Sequence, residues 1–247
     1  MQLEMMMMSN SKLFISFFLF FLFISFVSSS FSINSHICSP VQSHALLLFK
    51  QELFFTDHSI KYRYVNNICR DWLGSGYYPI TMNWKTSIDC CNWDGVICNH
   101  LTGDVIDLDL SCGMLRGTIH PNSTLFHLPH LQRLNLAFNS FFPSQLPHEI
   151  VSFSTSLTHL NLSECGFTGQ VPTSTTFLHK LVYLDLSHNY FDSRLEPRVL
   201  NNLLQNSTHL RHLSLDDVHI GLVLPAYFNI TPTLKLLDLR STGLQGK

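Results

Sequence analysis

Residues 131–139 read Leu-Gln-Arg-Leu-Asn-Leu-Ala-Phe-Asn, and the same pattern of leucines returns along most of the chain. The common phrase is an apolar residue, two variable residues, leucine, any residue and leucine. It begins six times, at Val105, Leu131, Leu157, Leu181, Leu210 and Leu234. The steps between these starts are 26, 26, 24, 29 and 24 residues. A phrase that returns at such a period indicates structural units that stack along one axis.

This period and this wording are typical of the leucine-rich repeat. A single unit cannot bury its own leucines, so each unit must stack on the next. We therefore predict an α/β solenoid, a right-handed curved array of leucine-rich repeats with a parallel β-sheet on its concave side. About six repeats occupy residues 105–247, the last of them truncated. A long curved surface without a pocket favours binding over catalysis.

The first thirty residues have the layout of a secretory signal peptide. Leu13 to Val27 is an apolar run of 15 residues, preceded by Lys12 and followed by three serines. A membrane-spanning helix needs roughly 20 apolar residues, so the run predicts a cleaved signal peptide rather than an anchor. We expect cleavage near Ser28–Ser30 and entry into the secretory pathway, and we predict no transmembrane helix in this chain.

Six of the seven cysteines crowd the region before the repeats and the first repeat itself: Cys38, Cys69, Cys90, Cys91, Cys98 and Cys112. In an exported chain, disulfides are favoured over a metal site for such a set, and no His-x-x-x-His partner accompanies it. We predict that residues 31–104 form an N-terminal cap, a helix with a disulfide-tied tryptophan cluster, because the first repeat would otherwise expose its apolar end.

Each repeat has a ladder position, three residues after its last leucine, where Asn or Cys usually bonds the turn backbone. The residues at this position are Gly113, Asn139, Cys165, Asn189, Val218 and Thr242. The pattern predicts that Cys165 is a buried ladder thiol rather than half of a disulfide, and that Val218 leaves its turn without the usual bond. We also expect a stack of aromatic side chains inside the convex side, formed by Phe126, Phe153, Phe177 and Phe228.

Strand residues between the leucines alternate, so they point outwards on the concave side. We predict that this face binds a protein or glycan ligand. The residues assigned to it are Asp107, Asp109, Arg133, Asn135, His159, Asn161, Tyr183, Asp185, His212, Ser214, Asp216, Asp238 and Arg240.

Other functional classes lack support in the sequence. A net charge of −2 does not favour nucleic acid or an anionic membrane surface as the partner. No nucleophile elbow, phosphate-binding loop or zinc-protease motif occurs. The histidines recur at solvent positions of the repeats, as His159 and His212 do. We therefore expect no catalytic activity, cofactor or metal.

Four sequons mark candidate sites for N-linked glycans: Asn122, Asn161, Asn206 and Asn229. A glycan on Asn161 would obstruct the concave face, and Pro232 directly follows the sequon at Asn229. We predict glycans at Asn122 and Asn206.

The cap and the repeats together resemble a known family. The cap carries Asp89-Cys90-Cys91-x-Trp93-x-Gly95-Val96-x-Cys98, and the repeats carry Leu-x-Gly-x-Ile/Val-Pro, as at Phe167 to Pro172. These motifs are similar to those of plant leucine-rich-repeat receptors. Leu108-Asp-Leu-Ser-Cys112 and Thr118-Ile-His-Pro-Asn-Ser-Thr-Leu-Phe126 resemble more closely the receptor-like proteins of the Cf disease-resistance class.

The resemblance covers residues 36–247 and implies a plasma-membrane immune receptor. Such a receptor has an extracellular solenoid that perceives pathogen molecules, one membrane-spanning helix, and partner receptor kinases through which it signals. The resemblance also implies that Cys91 pairs with Cys98 and Cys38 with Cys90, which leaves Cys69 and Cys112 as the third pair.

The chain stops within a repeat at Gly246-Lys247, without a C-terminal cap or membrane helix. We therefore expect an N-terminal fragment of such a receptor, secreted or apoplastic if it is the real product. The alternative is a secreted leucine-rich-repeat inhibitor of a pathogen's cell-wall-degrading enzyme. A third hypothesis is that the chain is the product of a truncated gene relic and has no function.

Overall fold

The structure is a computed structural model that describes residues 37–55, 68–71, 78–191, 195–220 and 230–244. Contacts divide the chain into units 1–36 and 37–247, and all described residues belong to the second. The predicted signal peptide, Phe228 and Asn229 lie outside the described residues.

The strands are short, as expected when each repeat contributes one strand to a curved sheet. They are β1 (Leu53–Phe55), β2 (Val96–Cys98), β3 (Val105–Asp109), β4 (Leu115–Gly117), β5 (Arg133–Asn135), β6 (His159–Asn161), β7 (Tyr183–Asp185), β8 (His212–Ser214) and β9 (Leu236–Asp238). Among the described residues, helix α1 spans Pro40–Gln51 and helix α2 spans Pro197–Asn206. Short 3₁₀ helices cover Ile80–Asn83, Cys90–Asn92, Thr124–His127, His148–Phe153 and Thr173–Phe177.

Seven strands form one sheet in the order β2-β3-β5-β6-β7-β8-β9. From β3 onwards every pair is parallel, and the middle leucines of neighbouring repeats stand opposite one another, as Leu134 does to Leu160. The parallel sheet of a leucine-rich-repeat solenoid is therefore confirmed. The cap adds β2, which pairs antiparallel with β3 and which the sequence analysis did not foresee.

The leucines of the repeat phrase form the core. All three apolar residues of the repeats that begin at Val105, Leu131, Leu157, Leu181 and Leu210 are buried. In the repeat that begins at Leu234 they are only partly buried. Burying a leucine side chain contributes roughly 1.5–3 kcal/mol, so the stacking of units is the main source of stability.

Asparagine at the ladder position bonds across two repeats. The Asn139 amide donates to the carbonyl oxygens of Leu110 and Leu136, both at 2.8 Å, and its Oδ1 accepts from the Leu115 N–H at 2.9 Å. Asn189 repeats this arrangement two ladder positions further on, beyond Cys165. At Val218 the side chain is buried and cannot form a hydrogen bond, although its backbone N–H donates to the carbonyl of Leu215.

The cap closes the first repeat with aromatic and covalent contacts. Trp84 and Trp93 stack with ring centroids 5.3 Å apart, and both rings are buried. The indole N–H of Trp84 donates to the backbone oxygen of Asp94 at 3.0 Å. Helix α1 packs beside this cluster, and β1 pairs antiparallel with β4 of the first repeat. These contacts cover the apolar end of the solenoid.

The predicted aromatic stack is wrong at Phe177, which is 53% exposed and meets the ring of His179 edge to face. The buried place belongs to Leu178, which is 1% exposed. Leu178 stands three residues before the next repeat begins and points into the core. Leu128 occupies the equivalent position two repeats earlier and is also buried. Phe126 and Phe153 do pack together, with centroids 5.8 Å apart.

None of the described helices is long and apolar enough to span a membrane.

Candidate ligand-binding face

The concave sheet presents its outward side chains in two rows, because strands in register place equivalent residues side by side. We call the first row the strand-entry row: Asp107, Arg133, His159, Tyr183, His212 and Leu236. We call the second the strand-exit row: Asp109, Asn135, Asn161, Asp185, Ser214 and Asp238.

The strand-entry row begins with an ion pair and continues as a tract of rings. The Arg133 guanidinium lies 2.6 Å from Oδ2 of Asp107. His159 stacks on Tyr183 with centroids 6.2 Å apart and an interplanar angle of 16°, and Tyr183 meets His212 at 5.9 Å in a tilted contact. The structure therefore brings together three of the predicted ligand-binding residues as one continuous aromatic surface.

Burial changes the titration of two of these rings. It lowers the pKa of His159, and the neighbouring Arg133 charge lowers it further. It also raises the pKa of Tyr183 to about 12, with the Asp185 carboxylate adding to the effect. Both shifts favour the neutral forms of these two side chains, the His159 imidazole and the Tyr183 phenol.

The side chains of the strand-exit row also stabilise the turns that follow the strands, a role that was not predicted from the sequence. The Oδ1 atoms of Asp109, Asn135, Asn161 and Asp185 each accept the backbone N–H two residues later, at 3.0–3.1 Å. Such Asx turns direct the chain out of the strand. The signal was the recurrence of Asp or Asn two residues before serine, as in Asp185-Leu-Ser187. Asn135 and Asp185 thus hold turns with part of the side chain that we assigned to a ligand.

Beyond the exit row, Arg240 joins two carboxylates. Its guanidinium lies 2.9 Å from Oδ2 of Asp216 and 2.7 Å from Oδ2 of Asp238. Hydrogen bonding to Arg240 lowers the pKa of Asp238. His188 stands near the same group, 3.6 Å from Oδ2 of Asp216. The predicted residues Asp216, Asp238 and Arg240 therefore form one ionic cluster.

The residue three places after each of the parallel strands β3 and β5 to β9 has a left-handed backbone. Six residues share this conformation, with φ between 52° and 64°: Cys112, Phe138, Glu164, His188, Asp217 and Ser241. This turn returns the chain to the rim of the concave face, so Glu164, His188 and Asp217 border it. Strand alternation alone could not place them there, because it ends where the strand ends.

A cleft of about 510 Å³ runs along this rim. Its lining includes Ile68 of the cap, exit-row residues Asn135, Asn161 and Asp185, and the rim residues Glu164 and His188. A second depression of about 830 Å³ lies outside the sheet, between the segments that follow the ladder positions.

Six cysteines of the cap and the first repeat form three disulfides, Cys38–Cys90, Cys69–Cys112 and Cys91–Cys98, which are the pairs that the family resemblance implied. The sulfurs of Cys38, Cys90, Cys91 and Cys98 lie within 4.8 Å of one another. Because they are joined as disulfides, they offer no thiolate to a metal ion. The Cys69–Cys112 bond holds residues 68–71 beside the first repeat.

The candidate glycan sites lie in different surroundings. Asn122 is exposed just before the 3₁₀ helix Thr124–His127, and Asn206 is the last residue of α2. Asn161 is half-buried in β6, and its Oδ1 also accepts from the hydroxyl of Ser163 in its own sequon.

The Leucine Rich Repeat family profile matches residues 156–178 and 180–203. Among curated proteins, the chain is 37% identical over 243 residues to Receptor-like protein 6 of Arabidopsis thaliana, covering 94% of this chain and 24% of that protein. It is 38% identical over 211 residues to Receptor-like protein Cf-9 of Solanum pimpinellifolium, covering 85% and 24%. The chain thus spans about a quarter of the length of these relatives.

Two solved structures are similar in fold. A plant ice-binding protein superposes with a TM-score of 0.57 at 25% identity, covering 85% of this chain and 57% of that one. The BIR3–SERK2 complex from Arabidopsis thaliana gives a TM-score of 0.51 at 25% identity, covering 82% and 94%. The fold itself serves more than one function.

Proposed function

Because the chain belongs to the leucine-rich-repeat receptor-like proteins of plants, in the class of Cf-9, we propose that it perceives an extracellular pathogen molecule on its concave face. The chain would then be a recognition module that acts in plant defence. In the whole receptor, a partner receptor kinase would carry the signal.

One observation supports a recognition role above the others. Along the array the inward positions repeat leucine, whereas the strand-entry row changes from Asp to Arg, His, Tyr, His and Leu. Solubility alone requires only polar residues on an outward face. Two histidines and a tyrosine in contact instead provide a large, rigid and partly apolar surface, which is characteristic of protein interfaces.

The stacking of the rings favours a protein over a glycan as the ligand. His159 and Tyr183 lie nearly parallel with ring centroids 6.2 Å apart, so one face of each ring is turned towards the other. Ring faces carry the negative part of the aromatic quadrupole and ring edges the positive part. With these faces turned towards a neighbouring ring, the tract offers ring edges, imidazole nitrogens and the Tyr183 oxygen as an acceptor, since its hydroxyl donates to Asp185. These groups suit the backbone and side chains of a protein.

Variants of the tract test this proposal. The secreted chain would be screened against purified extracellular proteins of plant pathogens, with a Tyr183→Ala/His212→Ala double variant beside it. A Val151→Ala/Phe177→Ala variant is the matched control, since both side chains are exposed apolar groups outside the sheet. Binding that the concave variant loses and the control keeps is the expected result. Ligands that bind both variants equally would contradict the proposal.

A further inference from the structure

The cleft at the rim of the concave face is bounded at both ends. At one end stands Ile68, whose segment is held to the first repeat by the Cys69–Cys112 disulfide. Small residues form much of its floor: Ser111, Ala137, Ser163 and Ser187. In the next two repeats the equivalent positions hold Asp216 and Arg240, which are large and ion-paired. The small residues therefore end where that ion pair begins.

The length of the floor suits a short extended peptide. It crosses four strands, and neighbouring strands are about 4.8 Å apart, so it measures roughly 15 Å. An extended chain rises about 3.3 Å per residue, which gives space for four or five residues.

Carboxylates are in excess around this cleft. Glu164 and Asp185 line it, and Asp217 lies on the same rim one repeat beyond His188. In the part of the chain that the structure describes, no lysine or arginine is ion-paired with any of these three. His188, 4.0 Å from Asp217, contributes a positive charge only when it is protonated. Burial raises the pKa of Glu164, and its proximity to His188 opposes that shift.

An ion pair within the chain indicates which chemical group the carboxylates along this rim bind. Two repeats beyond Asp185, the Arg240 guanidinium bridges an exit-row carboxylate, Asp238, and the carboxylate of Asp216. In the repeat that contains Asp185, the exit-row carboxylate is present, but Ser187 occupies the position of Arg240. Ser163 stands at the position of Asp216, and the neighbouring Glu164 supplies the second carboxylate. Asp185 and Glu164 therefore line the cleft without such a cation.

We propose that this cleft binds an extended segment of the ligand protein and receives a lysine or arginine side chain of that segment between Glu164 and Asp185. The inference rests on the proposed function, since it assigns a ligand chemistry to part of the concave face. It predicts that the ligand presents a basic residue flanked by small or extended ones.

A phage-displayed library of random heptapeptides, selected on the secreted full chain, provides the probe. Selected peptides would be synthesised and their Kd values measured on the wild type and on Glu164→Gln, Asp217→Asn and Tyr183→Ala. Glu149→Gln is the matched control, with the same charge change in a 3₁₀ helix outside the sheet. Glu164→Gln and Asp217→Asn keep the shape of the side chain, and circular dichroism would verify that each variant folds.

We expect peptides with Lys or Arg at one fixed position, whose Kd rises about tenfold on Glu164→Gln, as for a partly desolvated charge pair, and is unchanged on Glu149→Gln. Replacing the peptide's basic residue with norleucine should abolish the difference between wild type and Glu164→Gln. Peptides that lose binding on Tyr183→Ala but carry no basic residue would overturn this inference and leave the proposed function intact. Peptides indifferent to both Tyr183→Ala and Glu164→Gln would count against both.

Discussion

The Sγ atom of Cys165 lies 3.0 Å from the carbonyl oxygen of Leu136, in the ladder position that asparagine fills in the repeats on either side. The side chain is fully buried. Burial raises the pKa of this thiol well above its usual range. Cys165 is therefore a hydrogen-bond donor of the solenoid, and its sulfur is protected from chemistry that requires a thiolate.

Thiol labelling tests this assignment together with the cap. Without reductant, the native secreted protein should show no thiol reactive towards a soluble disulfide reagent at pH 8, because Cys165 is buried and protonated. After denaturation in urea, it should show one, since the other six cysteines are paired. Three or more reactive thiols in the denatured protein would mean that a cap disulfide is absent.

The ladder asparagines should stabilise the fold more than exposed asparagines do. Asn139→Ala leaves the buried N–H of Leu115 without its acceptor, and an orphaned buried group costs about 1–3 kcal/mol. We expect the free energy of unfolding to fall by about 2–3 kcal/mol for Asn139→Ala and Asn189→Ala alike. Asn92→Ala, at an exposed position in the cap, should change it by less than about 0.5 kcal/mol. Equal effects at all three positions in urea titrations would contradict the ladder role.

The repeat architecture was predictable because each leucine has a single task. Leu134 and Leu160 occupy equivalent inward places, and a period of 26 residues states this directly. Phe177 shows where the pattern stops being informative. Either Phe177 or the adjacent Leu178 can fill the buried position. Packing, rather than the spacing of residues, decides that Leu178 fills it.

Tyr183 should be among the last tyrosines of the folded protein to ionise. Its pKa in the folded state is about 12, above the unfolded value of about 10. The folded state thus favours the neutral phenol, so this contribution to stability is complete below about pH 10 and is lost as the pH rises towards 12. The Tyr183→Phe variant should lack this part of the alkaline loss. Absorbance at the tyrosinate band, followed against pH, measures how many tyrosines ionise in the wild type and in the Tyr183→Phe variant. If the difference between the two curves showed Tyr183 ionising near pH 10, the burial of its side chain would be contradicted.

Glycosylation follows from the position of the sequons. We expect glycans on Asn122 and Asn206 of protein secreted from plant cells, and none on Asn161, whose Oδ1 is engaged in the β6 turn. Peptide-level mass spectrometry after glycosidase treatment would identify the modified asparagines. Full occupancy at Asn161 would remove part of the concave face from ligand binding.

The candidate site was only partly predictable. Alternation along the strands predicts that Arg133, His159 and Tyr183 share one side of the sheet, and the register places them side by side in one row. It could not separate the side chains that are free for a ligand from those, such as Asn135, that hold their own turn. It also omitted Glu164 and His188, because a left-handed turn after the strand, rather than the strand itself, brings them to the rim.

Hydroxyl-radical footprinting of the chain with the first pathogen protein found to bind it would test the central claim most directly. Oxidation of each side chain would be compared with and without the ligand. We expect protection of His159, Tyr183 and His212, with unchanged oxidation of the exposed Phe177 outside the sheet. Protection of Phe177 with the three concave rings left as reactive as in the free protein would contradict recognition through the concave face.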